Sequence, residues 1–233
     1  MARRTTRKSN IQQDSLGRNK FEALTDNQGL AKDSWDNGKH LMLLGTAGSG
    51  KTFLAMSFAL EELEKKDNGI KRVVILRSSV SVRDIGFMPG NEKEKGKYFE
   101  SPYYSIANQI FGRGDAYDIL KGKNKLQFSL TTHLRGTTFD DAVVIVDEVQ
   151  NMSFQELNTI ITRVGVNTRI IFAGDTRQDD LTSERFKETS GLRDFVKIIN
   201  RLNEFETTQF TVDDIVRSDL VRSYIIAKEE LEL

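Results

Sequence analysis

Gly45-Thr46-Ala47-Gly48-Ser49-Gly50-Lys51-Thr52 stands between the apolar run Leu41-Met42-Leu43-Leu44 and a helical pattern that opens near Lys51. This is the G-x-x-x-x-G-K-[ST] phosphate-binding loop in its strand–loop–helix setting. Gly45, Gly48 and Gly50 free the backbone N–H groups to turn around phosphate oxygens. The helix start adds the partial positive charge of its N-terminus. Lys51 is then expected on the β- and γ-phosphates and the Thr52 hydroxyl on Mg²⁺.

A second cluster supports the first. Val143-Val144-Ile145-Val146 is a continuous apolar run that ends in Asp147 and Glu148. In parallel α/β sheets the ligand sits beyond the carboxyl ends of the strands. Asp147 is placed there as the Mg²⁺ carboxylate, and Glu148 as the group that orients and deprotonates an attacking water. A third strand, Ile170 to Ala173, runs into Gly174-Asp175-Thr176-Arg177-Gln178-Asp179-Asp180, where Gln178 can bond the γ-phosphate or the water. Read alone, that last segment is an ordinary polar turn. Gln28, in Leu24-Thr25-Asp26-Asn27-Gln28, carries a donor and an acceptor that suit an adenine edge, and Thr25 reads as a helix cap.

The 233 residues suit one buried core. No apolar stretch reaches the ~20 residues of a bilayer span, and no membrane partner is expected. Cysteine is absent and histidine is limited to His40 and His133, which excludes disulfides, zinc–thiolate sites and Cys nucleophiles. Lys plus Arg equals Asp plus Glu, yet residues 1–20 hold six basic residues against Asp14 alone. That basic arm, read as disordered, suits nucleic-acid phosphates or plain solvation. The location expected is cytoplasmic, in a bacterium or a phage-infected host.

Periodicity gives short helices over 21–35, strands at 41–45, 72–76, 127–131, 142–146, 169–173 and 205–211, and helices at 51–66, 103–121, 153–163, 191–199 and 213–230. Asn68-Gly69 and Gly165 are expected to end two of these helices. Both prolines, Pro89 and Pro102, with three glycines and a charged run, predict a loop excursion over 86–103. Strands alternating with helices predict an α/β fold, a parallel central sheet with helices on both faces. Residues 21–233 are expected to form one domain after the arm.

In this order the segments resemble the PhoH family of ATPases, which is related to the first motor domain of superfamily 1 helicases. The likeness rests on Gly45–Ala55, Ile85-Gly-Phe-Met-Pro-Gly90, Leu134-Arg-Gly-Thr-Thr138, Val146-Asp-Glu-Val-Gln-Asn151, Gly174-Asp-Thr-Arg-Gln-Asp179, Ser190-Gly-Leu192 and Ile215-Val-Arg-Ser-Asp-Leu-Val221. It covers roughly residues 24–228, with Val149 where the family more often has Ala. The resemblance implies a RecA-like P-loop NTPase using ATP and Mg²⁺, acting on single-stranded RNA or DNA as a helicase or translocase. It implies that Gln178 senses phosphate, that Arg77, Ser78 and Ser79 face nucleic acid, and that Arg217 serves the γ-phosphate. Phe87, Arg83, Lys97 and Arg135 are further candidates for nucleic-acid contact. Only 40 residues precede the first core strand, so the nuclease-like domain of some members is not expected. With one motor core, an arginine in trans is expected: Arg217 or Arg222 reaching a neighbouring copy in a homo-oligomeric ring, a hexamer. The alternatives are a nucleotide-gated binding module with little turnover and a small-molecule P-loop kinase. An AAA+ remodelling ATPase would need a helical lid that the last residues do not supply.

Overall fold

The computed structural model describes residues 17–78, 92–134, 136, 138–175 and 191–231. Its six strands are β1 (His40–Gly45), β2 (Arg72–Arg77), β3 (Leu126–Leu130), β4 (Ala142–Asp147), β5 (Arg169–Gly174) and β6 (Phe205–Phe210). They lie in the order β3-β2-β4-β5-β1-β6, every neighbouring pair parallel. The helices are α1 (Asp26–Asp36), α2 (Lys51–Glu64), α3 (Glu92–Phe111), α4 (Ala116–Gly122), α5 (Phe154–Ile161), α6 (Leu192–Ile199) and α7 (Asp219–Glu230).

The central strands are apolar on both faces because both are covered. Leu41, Leu43, Val73, Ile75, Val143, Ile145 and Ile171 face one core, shared with Ala31 and Trp35 of α1, Leu54 and Phe58 of α2, Tyr103 of α3 and Tyr117 of α4. Met42, Leu44, Val74, Leu76, Val144, Val146 and Phe172 face the other, under Leu157 and Ile160 of α5 and Leu192 and Phe195 of α6. Each such side chain contributes about 1.5–3 kcal/mol on burial. The period-2 alternation also sets the direction of the polar residues that end the strands.

Six expectations on local structure are revised. Residues 17–20 are packed: Arg18 pairs with Glu61 and Glu64, and Asn19 N–H donates to Ile110 O at 2.8 Å. In place of short helices over 21–35 there is one, beginning at Asp26 behind the Thr25 cap. Helix α2 ends at Glu64, and the Asn68 amide reaches back to Glu62 O at 2.7 Å. Helix α5 ends at Ile161 with Thr162 as its cap, ahead of Gly165. Residues 92–103, expected as loop, belong to the 20-residue α3, with Pro102 inside it. The carbonyl that Pro102 leaves without a helical donor belongs to Tyr98, an exposed residue that water can serve. Phe99, Tyr103, Ala107 and Ile110 bury the opposite stripe and hold the helix in place.

The last revision bears on function. The helix expected over 213–230 begins only at Asp219. Before it, Thr211 and Asp214 close a capping box around a single 3₁₀ turn, and Asn27 of α1 donates to Asp214 at 2.7 Å. The chain then runs extended, and Val216 N–H donates to Gly48 O at 3.1 Å. The segment after β6 is thereby laid on the glycine-rich loop.

Candidate functional site

A cleft of about 910 Å³ opens at the carboxyl edge of the sheet. Its floor is Gly48, Gly50, Lys51 and Thr52 from the loop after β1, Arg77 from β2, Asp147 and Glu148 from β4, and Gly174 and Asp175 from β5. Phe21, Leu24 and Gln28 wall one side and Pro102, Ile106 and Gln109 of α3 another.

Gly45, Gly48 and Gly50 all have positive φ, a region closed to most side chains. At Gly45 the reason is steric as well: an added Cβ would meet Phe210 O at 1.9 Å. The Lys51 ammonium is buried and donates to Gly45 O and Thr46 O, each at 2.8 Å, and to Ser49 Oγ at 3.3 Å. Burial lowers its pKa, while Asp175, Glu148 and Asp147 pull it back up.

Asp147 follows Val143 and Ile145 in strand parity and so points toward α2 and α3. Thr52 Oγ1 donates to its Oδ1 at 3.0 Å, and Tyr103 Oη to its Oδ2 at 2.8 Å. Burial pushes the Asp147 carboxyl above its usual range, while Tyr103, Arg77 and Thr52 oppose the shift. Thr52 and Asp147 form a pair of hard oxygen donors of the kind Mg²⁺ takes, one carboxylate with the rest of its shell from water and phosphate. Among the described residues no cluster of three or more His, Cys, Asp or Glu forms a dedicated cage.

Glu148 leaves the strand in left-handed backbone, φ 56° and ψ 46°, an uncommon conformation that costs about 1–3 kcal/mol and clusters at functional sites. Burial and then Asp147 raise its pKa, and the guanidinium of Arg77, 3.9 Å from Oε1, opposes them. Gln150 Nε2 donates to Glu148 Oε2.

Several expected contacts take another direction. Arg77 shares the parity of Val73 and Ile75, so it turns under α3, stacked on Phe99 at 5.5 Å, and enters the cleft instead of facing nucleic acid. Ser78 has the opposite parity and is buried, its hydroxyl 3.4 Å from Glu156 of α5, with no surface to offer a nucleic acid. Gln28 is buried with both ends of its amide engaged: Oε1 accepts from Leu24 N–H at 2.9 Å and Nε2 donates to Ser49 O at 3.2 Å. It clamps the phosphate loop, where an adenine contact was expected. Arg217 lies over the loop of its own chain, its Cγ 3.2 Å from where a Gly48 Cβ would stand. Arg222 is exposed, 3.9 Å from Asp213. Lys97 is exposed on α3. Ser79, Arg83, Phe87, Arg135 and Gln178 lie outside the described residues.

Nothing in the sequence marks Asn19 and Phe21, which line the cleft from a distant segment, or Tyr103, which bonds Asp147 from beneath it. Gln150 is visible in the sequence only as one position of the Val146–Asn151 motif. Strand parity was the available signal for Arg77 and Ser78.

Sheet order, all-parallel pairing and a glycine loop leading from β1 into α2 define a RecA-like P-loop NTPase fold. The large terminase of a thermophilic bacteriophage shares it: 13% identity, 87% of this chain and 50% of that one covered, TM-score 0.50. Family membership comes from sequence. A family described as "PhoH-like protein" matches residues 20–229, and the chain belongs to it. A PhoH-like protein of Mycobacterium leprae is 29% identical over 209 residues, 89% of this chain and 58% of its own length. One from Bacillus subtilis is 31% identical over 188 residues, 80% and 57% respectively. The chain thus spans well under two thirds of these relatives.

Proposed function

We propose that this protein hydrolyses ATP with Mg²⁺ in the cleft between β1, β4 and α3 and couples the turnover to single-stranded nucleic acid. The observation that carries the reading is the convergence of Lys51, Thr52, Asp147 and Glu148 on one cleft. Lys51 exchanges its bonds to Gly45 O and Thr46 O for the β- and γ-phosphate oxygens, where its charge offsets that of the phosphates. Thr52 and Asp147 would hold the ion, which when bound would supply neutralisation of the phosphate charge. Glu148 takes a proton from the attacking water as the β–γ bridging P–O bond breaks, leaving ADP and phosphate. Gln178 remains a proposed phosphate contact. Arg217, over the loop of its own chain, supplies a further cation in cis.

The nucleic-acid half of the proposal is supported by the basic segment 1–20 and the motor-type fold. The proposed homo-oligomer, with a hexamer as its working size, is read by light scattering. Phosphate release with and without single-stranded DNA or RNA, against Lys51→Ala as blank, tests the whole. Stimulation that falls steeply with salt is expected. Release without an acceptor excludes a kinase, and absence of release from the wild type overturns the proposal.

A further inference from the structure

Gln150 lies in the turn after β4 with only 2% of its surface exposed. A buried primary amide needs partners at both ends. Here Nε2 donates to Glu148 Oε2, and Oε1 accepts the Asp175 N–H at 3.0 Å. The amide has one workable orientation, since an ionised carboxylate only accepts and a backbone N–H only donates. The contact requires close passage beneath β5. A Cβ at Gly174 would stand 2.5 Å from Val149 Cγ2 and 2.7 Å from Gln150 Oε1. The Glu148 backbone is held left-handed beside it, yet its side chain still has rotatable bonds that only a partner can fix.

We propose that Gln150 is a positioning residue that ties the Glu148 carboxylate to the backbone at Gly174–Asp175, so that the end of β5 sets the direction of the base. The inference rests on the hydrolase reading above. It assigns Gln150 no contact with substrate; it acts through Glu148. A carboxylate at position 150 keeps the acceptor for Asp175 N–H and loses the donor. A thioether of similar length loses both.

The test is single-turnover phosphate release by Gln150→Met and Gln150→Glu, alone and combined with Glu148→Gln, with nucleotide affinity measured in parallel. Each single variant is expected to lose roughly 10- to 100-fold in rate, with nucleotide affinity kept within about twofold. In the Glu148→Gln background the same changes should cost less than about twofold more, since both act on one group. Gln150 variants that turn over at the wild-type rate overturn the proposal. Losses that multiply with Glu148→Gln, or that appear as weakened nucleotide binding, also overturn it by marking a merely structural role. If Gln150→Met does not fold, Gln150→Glu carries the decision. A wild type that releases no phosphate sinks the hydrolase reading itself; an active wild type with indifferent Gln150 variants sinks this inference alone.

Discussion

Tyr103 Oη donates to Asp147 Oδ2 at 2.8 Å across 44 positions of sequence, tying α3 to the carboxylate at the end of β4. Burial and Asp147 hold the phenol pKa well above its ordinary value, so the hydroxyl stays a donor. Tyr103→Phe keeps the buried ring and leaves Asp147 with one donor fewer. A loss of about 1–3 kcal/mol in urea unfolding is expected, together with a higher Mg²⁺ requirement for turnover. Unchanged stability and Mg²⁺ dependence would show the contact to be idle.

Arg77 separates two readings of the end of β2. Its guanidinium lies in the cleft, 3.9 Å from Glu148 Oε1. Arg77→Ala is therefore expected to slow basal hydrolysis by roughly 10- to 100-fold while leaving the salt dependence of nucleic-acid binding as it was. Weakened nucleic-acid binding with unaltered basal turnover would return Arg77 to the role its sequence position suggested.

Arg169 ties β5 to α1 and α2. Its guanidinium stacks on Trp35, 3.3 Å from the ring centre, and pairs with Glu62 at 3.2 Å. Arg169→Met would leave Glu62 to Lys65 and Asn68 alone. A loss of about 2–4 kcal/mol is expected in chemical denaturation, with the cleft residues untouched.

His40 gives a signature in pH. Its Nδ1 accepts the Ile170 N–H at 3.3 Å, which requires that nitrogen unprotonated. Burial, then the charge of Arg169, lowers the imidazole pKa below its ordinary 6.5, against a smaller pull from Glu204. As pH falls the unfolded chain takes the proton first, so this contribution is present above the ordinary value. It is lost between that value and the lowered one. Melting temperatures across this window should fall for the wild type and fall less for His40→Gln. Parallel curves would contradict the assignment.

The strands and the phosphate loop were legible because buried parallel strands are unbroken apolar runs and the loop has a fixed spacing. The first half of helix α3, 92–103, was not, since Pro102, Gly96 and a charged run mask the stripe that continues through Phe99 to Tyr103 and Ile110. Asp147 and Glu148 could be read from one strand end. The donors that position them, Tyr103 and Gln150, depend on how separate segments pack. Arg217 was found in sequence, but its place over Gly48 was not, because the extended stretch that lays it there reads as helix.

The most direct test of the account compares phosphate release and nucleotide binding by the wild type and Glu148→Gln with Mg²⁺-ATP. Binding should be retained and the hydrolytic rate should fall by about 10²- to 10⁴-fold, the share of a general base. A Glu148→Gln protein that turns over at the wild-type rate would contradict it.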